Sequence, residues 1–178
     1  MTTTDHPLPS ELQALVDRQA IVDCLERCAR GIDRLDVDLY RSAFHDDAVD
    51  CHGDKPVTTD EFLEMWLPKQ PLRDANQHFL TNHTIDIAGD VAHAETYFIS
   101  LVKLAELDDL ELIGGRYVDR FERRAETGWR IALRVMFQEW RARADAAPRA
   151  AILGVDWGRR DRTDPSYERP LRPRPLDD

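Results

Sequence analysis

What this 178-residue sequence lacks narrows its class before any motif is read. It has three cysteines, Cys24, Cys28 and Cys51, an odd and small number that does not build a disulfide framework. The opening residues MTTTDHPLPSE carry neither the basic nor the apolar segment of a secretory leader. No apolar run approaches the ~18 residues of a membrane span. A cytoplasmic protein with reduced thiols is the expectation. Lysine is scarce: of 24 basic residues only Lys55, Lys69 and Lys103 are lysine, and 34 acidic residues leave a formal net charge of -10. Such a chain repels phosphate backbones, so nucleic acid is not an expected partner, and neither is a membrane. Gly-x-Ser-x-Gly, a phosphate loop and a dinucleotide fingerprint are all missing, and no organic cofactor is expected. Cys24 and Cys28 share a helix face and could join His78 or His83 around a metal. Zinc usually draws on two ligand pairs and only one is present, so two small residues on a packed face is the preferred reading, with no metal.

What is present is a chain that is 42% apolar, enough to bury one core. Residues 1–10 read as a flexible arm. Ser10 is placed to cap a helix whose apolar residues Leu12, Leu15, Val16, Val22, Leu25, Ala29 and Ile32 recur at helical spacing, with Gly31 at its fraying end. Asp36 can cap a short second helix. DAVDCHG alternates like a strand, and Thr58 or Thr59 can open a third helix that stops at Pro68 and Pro71. The period then changes to two. Four antiparallel strands are expected from NQHFLTNHTIDIA, VAHAETYFISLVKL, LIGGRYVDRFERR and GWRIALRVMFQEWRA, the first pair joined at Gly89-Asp90. The fold class is α+β, a curved, mostly antiparallel sheet wrapped around N-terminal helices over residues 11–143. Residues 144–178 hold five of the ten prolines and form a C-terminal extension packing on the body or on a neighbouring subunit.

Two strands carry a phase conflict. Alternation puts His83, Ile85 and Ile87 on one face and His78, Leu80, Asn82 and Asp86 on the other. His78 reaches the interior only if the strand bulges between Leu80 and Thr84. Arg134 likewise lies opposite Trp129, Ile131 and Leu133, and either a second bulge or a cavity lined from that face would bring it to the site. Asp119 points inward with Tyr117 and Phe121, either as a pocket residue or as a carboxylate satisfied by an ion pair with Arg134. Phe98 and Tyr117 are candidate pocket walls. His83 is either a pocket residue or a satisfied core histidine.

RGIDRLDVDLYRSAFHDDAV, QHFLTNH, GRYVDRFER and GWRIALR together resemble the SnoaL-like branch of the nuclear-transport-factor-2-like (cystatin-like) superfamily. The resemblance implies a cone whose sheet closes over helices around one pocket, in homo-oligomers with a trimer favoured over a dimer. The nearest catalytic pattern is that of scytalone dehydratases, bile-acid 7α-dehydratases and hexachlorocyclohexane dehydrochlorinase. It implies an Asp-His acid/base dyad of Asp33 and His78, with Arg134 as a third catalytic residue and Asn82 beside the histidine in the pocket. Where relatives place a lysine or tyrosine, this chain has Cys28, a poor donor without charge. His52 falls where dehydratases carry a tyrosine.

A neutral imidazole is a ready base near neutral pH. A carboxylate on its other nitrogen fixes the tautomer. The expected function is therefore a cofactor-free lyase or isomerase, preferably a dehydratase, acting on a small apolar hydroxy- or keto-ring compound. A non-catalytic ligand-binding protein, or the small subunit of a ring-hydroxylating dioxygenase, is the alternative. A polyketide cyclase or an epoxide hydrolase on the same fold is a further one; the hydrolase would need Asp33, Arg134 and Asp119 to converge.

Overall fold

The computed structural model describes residues 8–53, 55–105, 107, 109–146 and 157–172. Helix α1 spans Ser10–Arg34. Ser10 is its first residue rather than its cap: Pro9 holds the cap position, and no described side chain caps the helix there. Leu12, Leu15 and Val16 are exposed, Leu15 at 63%, because no described residue covers the first two turns. The buried stripe starts one turn later and runs through Asp17, Ile21, Cys24, Leu25, Cys28, Gly31 and Ile32. Gly31 is no fraying end. A Cβ there would lie 2.5 Å from the Tyr40 backbone nitrogen, so glycine lets the next helix fold directly onto α1. Leu35, at φ 54°, ends α1 in the left-handed region and donates to the carbonyls of Gly31 and Ile32. Asp36 then caps α2 (Val37–Arg41) by accepting from the Leu39 N–H.

Strand β1 is Phe44–Cys51 and β2 is the two-residue Val57–Thr58, which the sequence pattern did not announce. Thr58 and Glu61 form a reciprocal capping box for α3 (Thr59–Trp66), and both prolines fall in the 3₁₀ turn Leu67–Leu72 that follows it. The four long strands are β3 (Arg73–Ala88), β4 (Val91–Leu104), β5 (Asp109–Arg124) and β6 (Gly128–Asp145). Sheet order is β2-β1-β6-β5-β4-β3. β1 runs parallel to β6 and the other pairings are antiparallel. The two most distant long edges, β1 and β3, are therefore brought together only by curvature.

Bulges supply that curvature. The β4–β5 register is uninterrupted, so the extra residues lie on the strands flanking that pair. On β3, Thr81 pairs with Tyr97 and Thr84 with Glu95, leaving Asn82 and His83 opposite Thr96. Asn82 has φ 48°, a left-handed conformation that asparagine tolerates better than most residues. The inward set thus switches from Asn76, His78 and Leu80 to His83, Ile85 and Ile87. On β6, Ile131 pairs with Phe121 and Leu133 with Arg120, so Ala132 is the extra residue and Arg134 turns inward. Both phase conflicts resolve through bulges of this kind.

The core joins Ile21, Leu25, Tyr40, Phe44, Leu63, Phe121 and Ile131. Buried Asp17 ties α1 to the sheet, accepting from Trp129 Nε1 at 2.9 Å and from Arg123 Nη1 at 3.0 Å. Residues 157–172 lie against the C-terminal end of α1. Arg160 donates to the carbonyls of Ile32, Asp33 and Arg73 and to Gln70 Oε1. Asp36 accepts from Arg162 Nη2 and from the Tyr167 hydroxyl, each at 2.9 Å. The apolar AILGVD stretch expected to pack lies outside the described residues, as do residues 1–7. No helix among the described residues is long and apolar enough to cross a membrane.

Candidate active site

The sheet and helices enclose a cavity of about 240 Å³, below the ~300–1,000 Å³ common for drug-sized ligands. α1 contributes Leu25, Cys28 and Ile32, and α3 contributes Phe62 and Trp66. The sheet contributes His78, Leu80, Phe98, Tyr117 and Arg134, and His52 follows β1. Phe98 and Tyr117 stack with centroids 4.4 Å apart. Apolar walls from α1, α3 and the sheet are interrupted by polar groups that include His52, Arg73, Asn76, His78 and Arg134.

Asp33, in the last turn of α1, meets His78 on β3. Its Oδ1 lies 2.7 Å from His78 Nδ1, and its Oδ2 accepts from the His78 backbone N–H at 2.9 Å. One carboxylate therefore fixes both the ring and the strand that carries it. The two side chains are 14% exposed; His78 lines the cavity, and Asp33 borders the outer groove beside it. With Nδ1 held as donor to the carboxylate, Nε2 is the nitrogen left for a ligand. Arg160 donates to the Asp33 carbonyl at 3.2 Å, pinning the end of α1 from outside. Burial and the neighbouring Arg73 lower Arg160's own pKa to about 10.

Arg134 is 3% exposed and Asp119 1%. Nε and Nη2 of Arg134 donate to the two carboxylate oxygens at 2.8 Å each. Nη1 donates to Cys28 Sγ at 3.2 Å, and the guanidinium sits 4.0 Å from the Tyr117 ring centroid. Burial works against the charge on Arg134, but Asp119 outweighs it and holds its pKa well above the ordinary value. Burial also pushes the Cys28 thiol up to about 11. At neutral pH Cys28 is a small neutral wall that accepts from Arg134. Arg134's charge is thus spent within the protein, and its arrangement serves shape and polarity more than capture of an anion.

Three placements expected from the sequence change. Asn82 is exposed and outside the cavity lining, because the left-handed bulge it forms takes it out of phase with His78. His83 is half-buried and bonds Thr96 Oγ1 at 3.1 Å; it borders the outer groove beside Asp33 and His78 rather than the cavity. Asp119 stands behind Arg134 and does not line the cavity. Asp33 bonds His78 rather than Arg134, so the Asp–Arg–Asp convergence required of an epoxide hydrolase is not assembled. Cys28, His52, Phe98 and Tyr117 do line the cavity.

Sequence reasoning missed Asp50, Asn76 and Arg73. Asp50 is fully buried and bonds His52 Nδ1 through Oδ1. Its only sequence signal was its two-residue spacing from His52. Asn76 shares the inward phase of His78, is 2% exposed, and leaves Oδ1 without a partner among the described residues. Arg73 opens β3 and lines the cavity, with burial lowering its pKa.

Residues 13–135 match the SnoaL-like domain family, and the chain belongs to that family. No curated protein matches this chain. Among solved structures it is similar to a type 2 hexachlorocyclohexane dehydrochlorinase (LinA), at 22% identity and a TM-score of 0.69, covering 82% of this chain and 100% of that one. It is similar to a putative scytalone dehydratase from Novosphingobium aromaticivorans at 16% identity and a TM-score of 0.66, covering 81% and 97%. The Kfla4162 protein from Kribbella flavida matches at 22% identity and a TM-score of 0.67, covering 72% and 95%. A nuclear transport factor 2 (NTF2-like) superfamily protein from Salmonella enterica, at 17% identity and a TM-score of 0.62, and a Nostoc punctiforme protein with a cystatin-like fold, at 16% and 0.58, also match, so the fold is nuclear-transport-factor-2-like, cystatin-like α+β.

Proposed function

We propose that this chain is a cofactor-free lyase that eliminates water from a small hydroxy- or keto-ring compound. The observation that carries the reading is the Asp33–His78 pair at the wall of an apolar cavity. His78 Nε2 takes the proton next to the activating carbonyl. Asp33 holds the opposite ring nitrogen and stabilises the imidazolium as it forms. The C–H electron pair becomes the new double bond as the C–O bond breaks. Arg134, locked by Asp119, lines the cavity and contributes shape and polarity. The resemblance to a dehydrochlorinase and a putative dehydratase supports this class.

The test needs only purified protein and simple substrates. The protein, treated with a chelator and given no cofactor, is incubated with a panel of β-hydroxy cyclic ketones of one and two rings. Enone formation that disappears in His78→Ala supports the reading. Full activity in His78→Ala removes it. Diol formation from matched epoxides, with label incorporated from water, would favour a hydrolase instead.

A homo-oligomer, favoured as a trimer, is part of the same proposal. The sheet's outer face exposes Phe79, Tyr97, Ile99 and Phe137. Phe79 is paired with Ile99 and Arg116 with Phe137 across neighbouring strands, which supports a shared apolar surface. Light scattering on the purified chain checks it; a monomer at micromolar concentration would end this part of the proposal.

A further inference from the structure

A second carboxylate–histidine pair adjoins the cavity, whose lining includes both His52 and His78. Asp50 and His52 leave β1 on one face, two residues apart, and His52 Nδ1 bonds Asp50 Oδ1. Asp50 is 0% exposed, and His52 is its ion-pair partner. The other carboxylate oxygen, Oδ2, is buried without a hydrogen-bond partner among the described residues. The nearest fixed cation on the neighbouring strand, Arg134, is already matched by Asp119 through two bonds. A buried carboxylate with one oxygen unmatched is costly, and a cationic partner at His52 would offset it. His52 itself reaches the cavity, its ring 5.1 Å from Phe62 and 5.7 Å from Tyr117.

β1 and β3 lie toward opposite ends of the sheet, and the bulged strands fold them over one space. One pair offers a base there, and the other brings a second imidazole to the same space. We infer that His52, held by Asp50, is the general acid that protonates the departing hydroxyl. This rests on the elimination reading of Asp33–His78 and adds the leaving-group half of the reaction. His78 Nε2 accepts the proton from carbon and the C–H pair forms the C=C bond. The C–O pair leaves with the oxygen, and that oxygen takes the proton from His52 Nε2 to depart as water. His78 then returns a proton to solvent and His52 recovers one, so the cycle closes without oxidant or cofactor. The neutral thiol of Cys28 could not supply that proton as well, being held as an acceptor by Arg134.

A hydroxyl needs a proton to leave, whereas chloride does not. The test therefore uses matched 3-hydroxy and 3-chloro ring ketones with wild type, His52→Gln and His78→Ala. His52→Gln should lower kcat for hydroxy substrates by about 100-fold or more, with KM little changed, yet keep chloro substrates within about threefold of wild type. Retained chloro turnover also shows that the variant is folded. Asp50→Asn should follow the same pattern more weakly. His78→Ala should lose both substrates. If His52→Gln affects both leaving groups equally, or neither, His52 is only a wall and the inference is overturned, while the Asp33–His78 reading stands. If wild type eliminates from no member of the panel, the elimination reading fails and this inference with it.

Discussion

Replacing Asp33 by asparagine keeps the shape of the site and removes one charge. Asp33 makes two bonds to one residue: 2.7 Å from Oδ1 to the ring nitrogen and 2.9 Å from the backbone N–H to Oδ2. Asparagine can keep the backbone bond through its carbonyl. Its NH₂ then faces His78 Nδ1 and must donate, which makes Nδ1 an acceptor. The ring proton is forced onto Nε2, the atom that should be the base. The comparable aspartate-to-asparagine change in a serine-protease triad lowers kcat by about 10⁴. A fall of about 10³–10⁴ in kcat is therefore expected here. The stability cost is limited to one charge-assisted bond, about 1.5–3 kcal/mol, or a Tm lowered by about 3–12 °C for a domain of this size. Initial-rate measurements on the elimination panel, with calorimetry on the same samples, separate the two effects. An Asp33→Asn variant within about threefold of wild type in kcat would refute the tautomer reasoning.

Three further outcomes follow from the geometry. Asp119→Ala leaves Arg134 charged and buried, so stability should fall by about 3–5 kcal/mol by denaturant unfolding; a loss under about 1 kcal/mol would mean that water reaches the guanidinium. Asn82→Val places a β-branched residue at φ 48° and should cost about 1–2 kcal/mol, whereas Asn82→Gly should be nearly neutral; equal stabilities would argue against the left-handed bulge. Burial and, next, Arg18 lower the pKa of His83 from 6.5. The unfolded chain then binds the proton more readily, so stability holds above pH 6.5 and declines as pH falls through the folded value. His83→Gln should flatten that part of the pH–stability curve, and an unchanged curve would assign the loss to other groups.

The helical spacing of α1, the change of period after Pro71 and the Gly89-Asp90 turn were all readable, because each depends on local periodicity or turn chemistry. So was the β3 bulge, since His78 lay out of phase with the apolar residues of its strand; the same conflict at Arg134 left a bulge and a cavity on the other face as alternatives, and the structure has the bulge. What could not be read depends on contacts made at a distance. Leu12, Leu15 and Val16 fit a buried stripe by spacing, but no described residue covers them. Asn82 reads as a neighbour of His78 in a motif, yet as the bulge residue it faces solvent. Asp50 looks like one acid among many until curvature carries β1 across from β3. The C-terminal extension was expected to pack on the body or a neighbour, but Arg160 spends its donors on backbone carbonyls at the end of α1, which no pattern of side chains announces.

The proposed mechanism requires Asp33 to hold a proton on His78 Nδ1 so that Nε2 is free to act as the base. Side-chain ¹⁵N NMR of labelled protein reads that tautomer without any substrate, with His78→Ala assigning the signal. Wild type at mildly alkaline pH should show His78 protonated at Nδ1, and Asp33→Asn should move the proton to Nε2. A wild-type His78 protonated at Nε2, or a tautomer indifferent to Asp33→Asn, would contradict the mechanism.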